Sequence, residues 1–238
     1  MKTYRGPEGD ERIWFEDDEI EQIMEDELRR AGLWPNPDSS IIDVETFIEA
    51  HLKASLDQYA KLDSDVLGLT EFRPGAAPLV RINRDLTGSA MDNEWCPPGI
   101  HGRWRATLAH EASHVVLHRM LFELNRDQMN LFEEQGRPAL LFRCLKREVS
   151  YRAGGRDWRE VQANRGMAAL LMPKTIFIKA AREELSSAHS DRVDTAGQRL
   201  AARFAVSREA AAIRLRTFGF QDADASLDLA ETHSPVEH

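Results

Sequence analysis

Residues 104–122 read WRATLAHEASHVVLHRMLF, and most of the chain can be interpreted from this stretch outward. No Pro or Gly interrupts it, and Leu108, Val115, Leu117 and Leu121 give it the apolar spacing of a partly buried helix. Inside it, His110-Glu111-Ala112-Ser113-His114 has the form H-E-x-x-H. Residues four apart on a helix lie one turn above each other, so His110 and His114 project from one face. Two imidazoles so spaced can grip one Zn²⁺ at about 2.0–2.1 Å each. Glu111, beside the first of them, is angled toward a water in the open coordination position and would serve as its general base. Three fixed residues in five recur by chance, and a histidine on an apolar helix face is more often a packed core residue, so the motif has to be weighed with its context. His118 continues the same face. At about 1.5 Å of rise per residue it stands about 12 Å along the axis from His110. One ion cannot bind all three, and His118 is expected to support the site or the core rather than to ligate.

A catalytic zinc needs three protein ligands and one open position. The candidate for the third is Glu160, in DWREVQANRGMAALLMP at residues 157–173. This stretch also reads as a helix, with Asp157 as N-cap, Glu160 at capping-box spacing and Pro173 at its end. Taken alone, Glu160 is a capping residue; with a two-histidine helix upstream, its carboxylate becomes a ligand candidate. Asn164, one turn further on, shares that face and would hold the free ring nitrogen of a ligand histidine.

Together, TLAHEASHVVLH at 107–118 and EVQANRGMAALLMP at 160–173 resemble the ImmA/IrrE family of metallopeptidases. That family's pattern is T-L-A-H-E-x-G-H-x-x-L-H, followed by E-x-x-A-N-x-F-A-x-x-L-L-M-P. The similarity spans roughly residues 40–220 and is weaker outside the two motif helices. The resemblance implies that His110, His114 and Glu160 hold one Zn²⁺ per chain and that Glu111 is the catalytic acid/base. It also implies a narrow substrate class, a helix-turn-helix repressor cut at a limited site. Two residues depart from the pattern. Ser113 replaces a Gly, and Gly166 replaces a bulkier residue, which is expected to loosen packing beside Met167.

Composition bounds the alternatives. A chain of 238 residues can bury the core of one domain with appendages, or of two small domains. Hydrophobic content of 42% with 30% charged residues suits a soluble globular protein. No apolar run approaches bilayer-spanning length, and the N-terminus lacks an apolar signal core. Cys96 and Cys144 are the only cysteines and form no C-x-x-C pair, so a reducing cytoplasm is the expected setting. A net charge of −9 argues against a general nucleic-acid surface and is compatible with a basic protein substrate.

Around the motif helices, residues 1–15 read as a lead-in and 16–31 as an acidic amphipathic helix with Ile20, Ile23, Met24 and Leu28 on its apolar side. A second helix is expected near 43–57. Residues 66–72 and 79–83 alternate and are separated by a Pro/Gly-rich turn, which predicts a β-hairpin. Its second strand is expected to border the cleft as an edge that an extended substrate could join. Residues 84–101 read as loop. Residues 123–156 read as a long polar connection with a short strand near 142–149, either a lid or a surface insertion. Among Tyr151, Arg143 and Arg147, no oxyanion donor can be chosen. Residues 174–186 continue as helix. Residues 191–217 resemble a helix-turn-helix, with Ser207 as cap and positive charge from Arg199, Arg203, Arg208, Arg214 and Arg216.

The predicted fold is therefore α+β. A helix-rich, zincin-like metallopeptidase domain with a small β-sheet beside the cleft occupies 41–187. An acidic helix and loop precede it at 1–40, a helix-turn-helix-like segment follows at 188–221, and 222–238 is expected to be disordered. Two rivals stand beside the peptidase: a DNA-binding transcriptional regulator, and a partner-binding module, each with a structural or degenerate metal site.

Overall fold

The computed structural model describes residues 2–5, 11–36, 40–73, 75–92, 99–129, 140–145, 157–187 and 192–220. The N-terminal lead-in is an antiparallel hairpin, β1 (Lys2–Arg5) with β2 (Glu11–Trp14). Helix α1 (Asp17–Arg30) follows. Glu16 and Glu19 form a reciprocal capping box at its start, acids fill its first turn, and Arg29 and Arg30 close its last, each charge at the end the helix dipole favours. Its apolar stripe of Ile20, Met24 and Leu28 is buried. Glu25, on the same helix, accepts from the backbone N–H and hydroxyl of Thr175 and so ties α1 to the first turn of a later helix.

The helix expected over 43–57 is about half that length. α2 (Val44–Thr46), capped by Asp43, runs into a π-helical turn at Phe47–His51 and ends at Leu52. Lys53 then takes a left-handed conformation at φ 54°, which breaks the helix, and β3 (Ser55–Ala60) begins. β4 (Val66–Phe72) and β5 (Leu79–Asn83) form the expected hairpin. Residues 84–101 are not all loop, because α3 (Arg84–Ala90) starts there under an Asn83 cap. Helix α4 (Ile100–Met129) carries H-E-x-x-H. β6 (Leu140–Leu145) pairs antiparallel with β4, within the stretch where a strand was expected.

The four-stranded sheet has the order β3-β5-β4-β6. β5 lies between β4 and a parallel partner, β3. Its ladder groups are already spent, so residues 79–83 are not the edge strand that was expected to accept a substrate. Local alternation identifies a strand but not a partner more than twenty residues upstream.

The remaining helices are α5 (Trp158–Leu171), α6 (Lys174–Ser187), α7 (Arg192–Phe204) and α8 (Arg208–Thr217). One cluster of buried apolar side chains runs from Ile13 and Ile20 through Leu108, Ala112 and Leu170 to Phe204 and Leu215. α7 and α8 thus share the core that carries α4 and α5. Ser207 caps α8, accepting from Ala210 N–H. Three of the five arginines counted as a positive surface have acidic partners on neighbouring helices, and one of them is buried. Arg199 and Arg203 pair with Glu184 and Glu183 of α6. Arg214, buried on α8, forks onto the Glu21 carboxylate at 2.5 and 2.7 Å and donates to the Met172 carbonyl at 2.7 Å. The Arg214 contacts lock α8 to α1 and to the end of α5 and take its charge out of the surface. Among the described residues, no helix is long and apolar enough to cross a membrane. The expectations for 93–98, Tyr151, Arg147 and the tail at 222–238 lie outside the described residues.

Candidate metal centre

The site forms where α4 crosses α5, and small residues let the two helices approach. A Cβ built on Gly166 would lie 2.8 Å from Met24 Cε and 2.8 Å from both Cβ and Oγ of Ser113. The two departures from the family pattern therefore face each other. The larger residue on α4 fills the space that the smaller one on α5 leaves open, and Met167 stays fully buried. Packing beside Met167 is not loosened. Ser113 also satisfies its hydroxyl within α4 by donating to the Ala109 carbonyl at 2.7 Å.

At the crossing, His110, His114 and Glu160 bring one ligand atom each to within 4.8 Å of one another. His110 Nε2 lies 3.1 Å from Glu160 Oε2 and 3.1 Å from His114 Nε2, and His114 Nε2 lies 3.4 Å from Glu160 Oε1. A tetrahedral zinc with bonds of about 2.0–2.1 Å has ligand-to-ligand edges of about 3.3–3.4 Å, and each of these separations is near that length, the two histidines facing different oxygens of the one carboxylate. Both histidines are fully buried, and Glu160 is 9% exposed.

The protons of this cluster can be followed outward. His110 Nδ1–H donates to Asn164 Oδ1 at 3.2 Å, which leaves the Nε2 lone pair facing Glu160. Gln162 donates its amide N–H to the Ile13 carbonyl at 3.3 Å, so its Oε1 faces His118 Nε2, also at 3.3 Å. His118 must then carry its proton on Nε2 and accept on Nδ1. His114 Nδ1–H donates to that nitrogen at 2.9 Å, and its own Nε2 lone pair also turns inward. Two lone pairs and a carboxylate therefore meet with no proton to share. Such a group of acceptors is repulsive unless a cation lies among them, and the residues fit a divalent metal.

Protonation favours the same conclusion. Burial raises the Glu160 carboxyl, but once acid protonates the facing nitrogens of His110 and His114, their hydrogen bonds and charge outweigh it and hold the group far below its ordinary range. Burial lowers His114, against partial opposition from Glu160, and lowers His118 further, with His114 adding to the effect. Neutral imidazoles beside an ionised carboxylate are the state in which these side chains can ligate.

Glu111, next in sequence to His110, is fully buried against β4. Thr70 Oγ1 donates to Glu111 Oε2 at 2.5 Å, in the range of charge-assisted hydroxyl–carboxylate bonds. A Cβ on Gly68 would fall 2.5 Å from Glu111 Oε1, so the strand approaches this carboxylate as closely as only glycine permits. On the other side Phe142 of β6 stacks on the His114 ring, with centroids 4.6 Å apart and planes 17° apart. It also covers His118, and Trp158 meets His118 edge-on.

The structure brings His110, His114 and Glu160 together, with Asn164 against His110. His118 stands behind His114 rather than at the centre. Gln162, Thr70, Gly68 and Phe142 were not foreseen. An isolated glycine inside a strand pattern is itself a sign of close approach, so Gly68 could have been found; nothing local marks the other three.

A helix-rich α+β domain of this kind, with two histidines and a glutamate meeting from two helices beside a small sheet, is zincin-like. Residues 144–216 match the family model Peptidase_M78, described as the IrrE N-terminal-like domain. The match agrees with the resemblance to the ImmA/IrrE metallopeptidases. The matched stretch contains α5 with Glu160 and runs almost to the end of α8, whereas α4 with H-E-x-x-H precedes it. No curated protein matches the chain.

Proposed function

We propose that the chain is a zinc-dependent endopeptidase that cuts a protein substrate at a defined site. The observation that carries the reading is the convergence of His110, His114 and Glu160, with Glu111, next in sequence to His110, held by Thr70. Zinc held there would polarise a peptide carbonyl and acidify a water. Glu111 takes the proton from the attacking water and returns it to the departing amine nitrogen. Asn164, on the far side of His110, fixes that ring's orientation, and His118 does the same for His114. The ImmA/IrrE resemblance supports a helix-turn-helix repressor as substrate, and the cysteine usage supports a cytoplasmic setting.

The test is co-expression with candidate repressors, with fragments identified by mass spectrometry in the presence and absence of a chelator. Glu111→Gln is expected to keep one zinc per chain and lose cleavage by a factor of at least about 100, the scale of general acid–base catalysis. Undiminished cleavage by that variant would remove Glu111 from the mechanism. Zinc binding without cleavage by the unaltered chain against any candidate would favour a partner-binding module. DNA binding with a steep salt dependence is not expected, because Arg199, Arg203 and Arg214 are engaged in ion pairs.

A further inference from the structure

The hydrogen-bond chain behind His114 has two possible senses, and only one leaves the ring able to ligate. With Gln162 Oε1 toward His118, protons sit on His118 Nε2 and His114 Nδ1, and the His114 Nε2 lone pair faces His110 and Glu160. If the amide turned over, its N–H would donate to His118 Nε2, His118 Nδ1–H would donate to His114 Nδ1, and the last proton would sit on His114 Nε2, inside the metal triangle. A turn of one side-chain amide would thus move a proton through two rings and close the site to a cation.

The Ile13 backbone carbonyl decides between the two. It can only accept, and it lies 3.3 Å from the Gln162 amide nitrogen. Turning the amide would set oxygen against oxygen. Gln162, His118 and His114 are all fully buried, and Phe142 and Trp158 close over the His118 ring, which shields the pair from bulk solvent. A buried acceptor facing another acceptor is costly, so the observed sense is strongly preferred.

We propose that Gln162, anchored by the Ile13 carbonyl of β2, is a positioning residue for the metal centre, setting the proton order of His118 and His114 so that His114 presents a bare Nε2. The N-terminal hairpin is then a working part of the site, although it contributes no ligand. The inference rests on the reading that His110, His114 and Glu160 bind zinc.

Two measurements on the full-length chain test it. Long-range ¹⁵N correlation spectra of the metal-free, histidine-labelled protein read the tautomers directly. Protons on His114 Nδ1 and His118 Nε2 are expected, and the reverse order overturns the proposal. Zinc affinity by competition with a fluorescent chelator provides the second. Gln162→Leu, which removes the acceptor, should weaken binding about 10–100-fold. Gln162→Glu, which as the buried neutral acid donates its O–H to the Ile13 carbonyl and still accepts from His118 Nε2–H, should restore part of the affinity, as a merely space-filling role for Gln162 would not predict. Zinc uptake by the unaltered chain with no loss in Gln162→Leu overturns this inference alone. An unaltered chain that takes up no zinc overturns the metal-site reading and this inference with it.

Discussion

Glu111 shows how much one backbone position can decide. Its carboxylate has Thr70 on one oxygen and the bare Cα of Gly68 against the other. Gly68→Ala would set its Cβ 2.5 Å from Glu111 Oε1 and 2.9 Å from both Glu111 Cγ and Thr107 Cγ2, so the carboxylate is forced aside and the fully buried Thr107 must give as well. Overpacking of this kind costs about 1–3 kcal/mol, while a catalytic group displaced by about 1 Å costs on the order of 100-fold in rate. The expected result is a variant with a lowered melting temperature that, assayed while still folded, keeps its zinc and cleaves slower by about that factor. A rate close to that of the unaltered chain would show that the carboxylate is not held where hydrolysis needs it. The three candidate ligands could be picked out because their chemistry follows local spacing, i and i+4 for the histidines and a helix-borne carboxylate for Glu160. Thr70 and Gln162 were not, because each matters through a partner more than forty residues away or on another element.

At the level of elements, the α4–α5 crossing sets the ligand distances, and its close approach depends on Ser113 and Gly166 meeting face to face. Gly166→Ala should destabilise by about 1–3 kcal/mol, the range for overpacking. Adding Ser113→Gly should recover much of that loss, since it removes both of the Ser113 atoms that a Cβ at 166 would meet, leaving only the flexible end of Met24. A double-mutant cycle on thermal or denaturant unfolding measures the coupling, and strict additivity would refute the pairing. The helix boundaries with strong caps were readable, as at Asp157 and Ser207. The stretch 43–57 was not, because Leu52 and Leu56 continue a helical spacing past the point where Lys53 reverses the backbone. β3 is exposed at alternate positions and mostly polar, so its strand character comes from parallel pairing with β5 and not from its own pattern. The same pairing moved residues 79–83 from the sheet edge to its interior.

Across the whole molecule, three buried groups with shifted titration, His114, His118 and Glu160, oppose acid. His114 and His118 are held below their ordinary 6.5, chiefly by burial, so below that pH the unfolded chain takes up protons that the folded chain refuses. Stability therefore falls as pH drops below about 6.5, until the depressed folded values are reached. Glu160, held below its ordinary 4.5, adds stability that is complete above that value and is lost as pH falls through its folded value. The metal-free chain should melt at a lower temperature at pH 5 than at pH 7. The extra stabilisation from added zinc should also shrink over that interval, because protons compete for the same lone pairs. Calorimetric scans at the two pH values, with and without zinc, check both statements; a zinc-induced shift larger at pH 5 would contradict them.

The central claim is that two histidines of α4 and one glutamate of α5 share a single zinc. Anomalous diffraction at the zinc edge from crystals of the zinc-loaded protein tests it most directly. The account predicts one peak per chain, within about 2.0–2.2 Å of His110 Nε2, His114 Nε2 and a Glu160 carboxylate oxygen. A chain that binds no zinc there, or a peak whose ligands exclude Glu160, would contradict it.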